Sequence, residues 1–133
     1  MALTAVADAP LLLTLQFPPS KEIAKRVEEA ISREVVGRLL APSIVLTEFV
    51  KIAGARIGES AALLRLNLLK ERGMRVIPLG EELALAAVRL LLSHPDVLIA
   101  DALIASLVKI GEAEYVITDD PHYQDMKVRT KWV

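Results

Sequence analysis

The sequence has no cysteine, which excludes a disulfide scaffold and any zinc or iron–sulfur site held by thiolates. That absence fits a reducing compartment. Histidine is nearly as scarce: His94 and His122 are the two present, so a zinc ion in a histidine-rich shell does not fit either. Aromatic residues make up 4% of the chain. The core must then be aliphatic, and its commonest members, Leu and Ala, are good helix formers. There is no excess of charge of one sign: 16 Lys and Arg face 17 Asp and Glu, for a net charge of −1. A nonspecific nucleic-acid binder carries a basic surplus, so contact with nucleic acid would need a local basic patch. Long apolar runs are also missing. Those at 83–92 and 97–110 fall short of the roughly 18 residues a membrane span needs, or carry Asp101 inside them. No basic stretch opens the chain, and Asp8 interrupts its first apolar run, so a signal peptide is not expected. The expected location is the cytoplasm.

What remains is 133 residues, 53% of them apolar, enough for one domain spanning 1–133 with a substantial core. This composition excludes disorder. No repeat, linker or low-complexity tract interrupts it. Short apolar segments at 3–7, 35–41, 74–78 and 115–118 read as strands, and 128–133 alternates as an edge strand should. Helical spacing predicts helices over 10–17, 21–33, 44–56, 59–72, 81–93 and 97–110. Ser20, Ser43 and Asp96 are the candidate N-caps, and Gly73 and Gly111 the stop signals. Residues 121–126 read as a loop or a single turn. Alternation of strand and helix predicts an α/β fold: a three-layer α/β/α sandwich with a mainly parallel central sheet of about five strands. In such sheets the site lies at the carboxyl ends of the strands, which draws attention to Asp8 and to Asp119-Asp120.

Two more carboxylates break an amphipathic pattern. Asp101 has Val97, Leu98, Ile104 and Ala105 as its helical neighbours, and no Arg or Lys within one turn. Glu48 shares a helix face with Ile44, Val45 and Ile52, although Lys51 lies at i+3 and could pair with it. A buried carboxylate without a partner is costly or becomes neutral. Asp8, Glu48, Asp101 and Asp120 converging without a cation would repel one another. Hard cations such as Mg²⁺ or Mn²⁺ prefer oxygen ligands of this kind. A site of that composition suits phosphate chemistry.

The ordered set Val6-Ala7-Asp8-Ala9-Pro10-Leu11-Leu12, Pro42-Ser43-Ile44-Val45-Leu46-Thr47-Glu48, Ala100-Asp101-Ala102-Leu103-Ile104-Ala105 and Val116-Ile117-Thr118-Asp119-Asp120-Pro121-His122-Tyr123 resembles a PIN domain. It is similar above all to the VapC-like ribonuclease toxins of toxin–antitoxin systems, and the resemblance covers essentially the whole chain. It implies a PIN-like fold and an Mg²⁺- or Mn²⁺-dependent endoribonuclease. By the same resemblance Asp8, Glu48, Asp101 and Asp120 are both metal ligands and catalytic residues. Thr118 and Asp119 take positioning roles, Asp119 ranking below Asp120, and Tyr123 stands where an aromatic is usual. RNA is then the substrate and a cognate antitoxin the partner. One departure is Pro10, where the family pattern has a polar residue: it offers neither a side-chain donor nor a backbone N–H. On that ground a PIN fold kept as an RNA-binding or interaction module is the competing function. A haloacid-dehalogenase-like phosphatase would need Asp-x-Asp after the first strand, and the chain reads Asp8-Ala9-Pro10.

Outside the acids, Lys51, Arg56, Lys127, Arg129 and Lys131 could form an RNA-phosphate surface or a solvated rim. His122 could contact a phosphate or support a site residue, but reads first as an ordinary loop residue, and Trp132 reads as packing rather than base stacking. The helices at 59–72 and 81–93 are apolar on more than one face, which predicts a homodimer interface.

Overall fold

The computed structural model describes residues 4–34 and 38–133, and five short strands and seven helices alternate along them. The first strand, β1 (Ala5–Ala7), leads into α1 (Ala9–Gln16) and α2 (Lys21–Glu34). Then come β2 (Leu39–Pro42), α3 (Ser43–Ile57) and α4 (Glu59–Glu71). After β3 (Arg75–Ile77) follow α5 (Glu81–Ser93) and α6 (Ile99–Lys109), and β4 (Tyr115–Ile117), α7 (His122–Asp125) and β5 (Thr130–Lys131) close the chain.

All strand pairs are parallel, in the order β3-β2-β1-β4-β5. β1, β2 and β4 are buried along their whole length, as expected of strands covered on both faces. Their sequences are accordingly continuous apolar runs rather than alternating ones. The chain steps outward from β1 to β3, then crosses back over the sheet to β4. Right-handed crossovers therefore put α1–α4 on one face and α5 and α6 on the other. This is the α/β/α sandwich expected from the sequence. The direction of winding reverses between β1 and β4, and such a switch point opens a crevice at the carboxyl ends of the two strands.

Several local expectations shift. Ser20 caps α2 as expected, its Oγ accepting from Ile23 N at 3.1 Å. Ser43 does not cap α3. Pro42 holds the N-cap position, and the Ser43 hydroxyl accepts from Leu79 N at 3.1 Å, tying the start of α3 to the loop after β3. Asp96 does not cap α6 either: that helix begins at Ile99 behind Leu98. Gly73 and Gly111 take positive φ of 115° and 85°, the left-handed turns that end α4 and α6. The second strand starts at Leu39 rather than 35, and 35–37 lie outside the described residues. The last strand shrinks to two residues at the sheet edge, and Trp132 packs against the core.

Candidate active site

Asp8 follows β1 directly. The register pairs Ala7 with Ile117, so the next residues along, Asp8 and Thr118, lie side by side at the switch point. Asp8 is 3% exposed. Its Oδ1 accepts from Leu11 N at 2.9 Å, which makes it the N-cap of α1 as well as an acid at a strand end. The Thr118 hydroxyl donates to the same carboxylate, and its Oγ1 accepts from Asp120 N at 3.1 Å. One buried threonine thus links the ends of β1 and β4.

Asp120 is held in turn by the start of α7. Its Oδ1 accepts from His122 N at 2.9 Å and lies 2.9 Å from His122 Nδ1. His122, whose first reading from sequence was an ordinary loop residue and whose second was support of the site, is therefore a partner of a candidate ligand. The Asp-x-His spacing suits such a turn, in which a side chain binds backbone two residues on. The next residue, Tyr123, is fully buried, and its hydroxyl donates to Asp101 Oδ1 at 3.2 Å. From sequence its signal was aromaticity alone; the hydroxyl contact needed the fold.

Asp101 stands in the first turn of α6, because the helix starts two residues later than the apolar pattern suggested. There the free N–H groups and the helix dipole favour an anion. Its surroundings are correspondingly less apolar than a mid-helix position would be: Leu98 and Ile99 face solvent, and Asp101 is half-buried. Glu48 lies on α3 beside the buried face of Val45, Phe49 and Ala53, and is also half-buried. Lys51 forms no ion pair with it, whereas Arg26 pairs with Glu22 and Arg72 with Glu28. Asp119 is exposed at the rim.

Electrostatics joins these groups. Burial pushes the Asp8 carboxyl from 3.8 up to about 6, against the hydrogen bonds from Thr118 and Leu11, and the charges of Asp119 and Asp101 add to the rise. Burial also raises Glu48, helped by the charge of Asp101 and opposed by Lys51. Asp101 is raised by burial and by Asp120, while the Tyr123 hydrogen bond and His122 pull it down. Burial and the charges of Asp101 and Asp8 hold the Tyr123 phenol far above its usual range, so it remains a proton donor. Asp101 is thus the common member: it repels Asp8 and Glu48 and is repelled by Asp120.

Chemically this is a set of oxygen donors with too much negative charge, which fits a hard divalent cation. It is not a closed cage. Among the described residues no three Asp, Glu or His side chains are gathered closely enough to hold a metal ion as they stand. Asp8 is buried while Glu48, Asp101 and Asp120 are part-exposed, and a cavity of about 440 Å³ bounded by Leu15, Arg65, Leu68 and Arg72 includes none of them. Of the expected basic surface, Arg56 stacks on the Phe17 ring at 4.0 Å and Lys131 lies 5.9 Å from the Tyr115 ring centre. Among the described residues no helix is long and apolar enough to cross a membrane.

Solved structures of similar fold include VapC20 from Mycobacterium tuberculosis, described as a Sarcin-Ricin loop cleaving toxin, at 15% identity and a TM-score of 0.75, covering 94% of this chain and 96% of that one. DNA-bound VapBC from Salmonella typhimurium matches at 16% identity and 0.73, covering 98% of both. FitAcB from Neisseria gonorrhoeae matches at 16% and 0.68, covering 96% of both. No curated protein matches the sequence at a significant level. The family model described as PIN domain matches residues 11–128, nearly the whole length over which the acids are spread, and the chain belongs to the PIN-domain family.

Proposed function

We propose that this PIN-domain protein is an Mg²⁺- or Mn²⁺-dependent endoribonuclease and the toxin of a toxin–antitoxin pair. The observation that carries the reading is the coupled group of Asp8, Glu48, Asp101 and Asp120 around the switch point, where burial and mutual repulsion leave negative charge for a cation to neutralise. These four residues would hold the ion. When bound, a hard cation supplies Lewis-acid activation of water and charge neutralisation at a scissile phosphate. The chain's own part is positioning: Thr118 orients Asp8, and the turn at His122 orients Asp120. Lys51, one turn along α3 from Glu48, and exposed Lys127, Arg129 and Lys131 offer phosphate contacts.

Two partners belong to this proposal. The neighbouring structures include toxin–antitoxin complexes, and an antitoxin arginine would suit a carboxylate cluster through paired hydrogen bonds. A second copy of the chain would cover the apolar outer surface of α4 and α5, where Leu64, Leu85 and Leu92 are exposed. Action on RNA places the protein in the cytoplasm.

The test is cleavage of RNA with Mg²⁺ or Mn²⁺ by wild type and by Asp101→Asn. Loss of one ligand should lower the rate by at least about 100-fold. Equal cleavage by both would sink the metal-site reading. Metal binding without any cleavage would favour a PIN fold acting as an RNA-binding or interaction module, the reading that Pro10 supports. That residue sits exposed in the first turn of α1 with no side-chain donor to offer.

A further inference from the structure

The buried ring of Tyr123 would serve packing equally well as phenylalanine. Its hydroxyl is an extra polar group in an apolar place, and such a group is costly unless it is hydrogen-bonded. Its partner is Oδ1 of Asp101, at 3.2 Å. The position of the ring is set from both sides. Upstream, Asp120 Oδ1 accepts from His122 N at 2.9 Å. Downstream, the Tyr123 carbonyl accepts from Met126 N and Val128 N, each at 3.2 Å. One short turn therefore holds Asp120 by its own backbone and reaches across to Asp101 on α6 through the phenol. Two carboxylates from distant parts of the chain are referred to a single rigid anchor.

From this geometry we infer that the Tyr123 hydroxyl is a positioning group for Asp101: it fixes one carboxylate oxygen and leaves Oδ2 free to ligate a divalent cation. The inference rests on the metal-site reading above. Groups that orient a ligand in this way typically change metal affinity or activity by about 10–100-fold when removed. Tyr123 is thus a positioning residue that acts through Asp101.

The experiment is a calorimetric titration of the full-length chain with Mn²⁺, without RNA, on wild type, Asp101→Asn, Tyr123→Phe and Met126→Leu. Circular dichroism confirms that each variant is folded. Met126, also fully buried and three residues on, controls for disturbance of the same packing without touching a carboxylate. Wild type should bind, Asp101→Asn should lose binding, Tyr123→Phe should bind about tenfold more weakly, and Met126→Leu should match wild type. A Tyr123→Phe protein that binds Mn²⁺ as tightly as wild type overturns the positioning role while leaving the site intact. A Met126→Leu protein weakened to the same extent as Tyr123→Phe overturns it too, since packing would then be the cause. If wild type and Asp101→Asn bind alike, the metal site itself fails and the role of Tyr123 falls with it.

Discussion

At the ends of β1 and β4, Asp8 and Thr118 are buried polar groups among Val6, Val116 and Ile117; on the outside of α5, Leu85, Val88 and Leu92 face solvent at i, i+3 and i+7. Each region departs from the usual partition of polar and apolar residues, in opposite directions. The inner one is fully hydrogen-bonded: among the described residues no buried side-chain nitrogen or oxygen lacks a partner. Its residual cost is charge, which hydrogen bonds reduce and do not remove. The outer one has no such local remedy, because an exposed leucine can be satisfied only by another surface. The contrast separates two kinds of cost: charge, which a counter-ion could relieve, and apolar area, which another surface could cover.

The sharpest way to separate packing from chemistry in the inner region is at two consecutive residues of α3. Phe49 is fully buried, while its neighbour Glu48 is half-buried. Phe49→Ala should cost about 3–5 kcal/mol of folding stability through lost contacts and the cavity left behind. Glu48→Gln should leave stability nearly unchanged and strike cleavage instead. Denaturant unfolding of the two variants measures the split, and a Glu48→Gln protein as unstable as Phe49→Ala would make Glu48 a structural residue.

A somewhat smaller effect is expected at Asp8, with a sign that depends on pH. Its folded pKa of about 6 lies above the ordinary value of 3.8, so the native state holds the proton more tightly than the unfolded chain. The stabilisation from the neutral acid is complete below pH 3.8 and is lost as pH rises through about 6. With roughly 1.4 kcal/mol per pKa unit, the loss is on the order of 3 kcal/mol. Asp8→Asn keeps an oxygen to cap Leu11 N and carries no charge. In chelator it should therefore be more stable than wild type at pH 8, with the advantage vanishing towards pH 4. Parallel stability curves for the two proteins over that range would remove Asp8 as the source.

That double character of Asp8 shows where reading the sequence reached and where it stopped. Strand–helix alternation made the layered parallel sheet legible, since continuous apolar runs such as Tyr115–Ile117 occur where both faces are covered. The acids were legible because Asp8 and Asp120 follow strands and Asp101 and Glu48 interrupt apolar stretches. Their partners were not. The hydrogen bond from Tyr123 to Asp101 spans 22 residues, and that from Leu79 to Ser43 spans 36. No local pattern encodes a contact between segments that only the fold brings together. Helix starts were missed for a related reason: Asp96 is a good cap in isolation, yet the chain begins α6 three residues later. This moved Asp101 from the middle of an apolar helix face into a first turn.

The smallest effect on folding, and the one that bears on the outer region, is expected from Leu85→Ser combined with Val88→Ser. Both side chains are about half exposed, at 56% and 46%, so their loss should cost the monomer only about 1–2 kcal/mol. Their effect should appear in assembly. α5 is followed by Leu98 and Ile99, exposed at 70% and 66% and only two or three residues before Asp101. Along the chain, exposed apolar residues thus run from α5 to the turn that begins α6 and carries Asp101. If a second copy covers them, sedimentation of wild type gives a dimer, and the double variant sediments as a folded monomer whose unfolding midpoint no longer depends on protein concentration. A wild-type protein that is monomeric at every concentration would assign the stripe to another kind of partner. A dimer that survives the double substitution would move the interface to α4, where Leu63, Leu64 and Leu68 are also exposed.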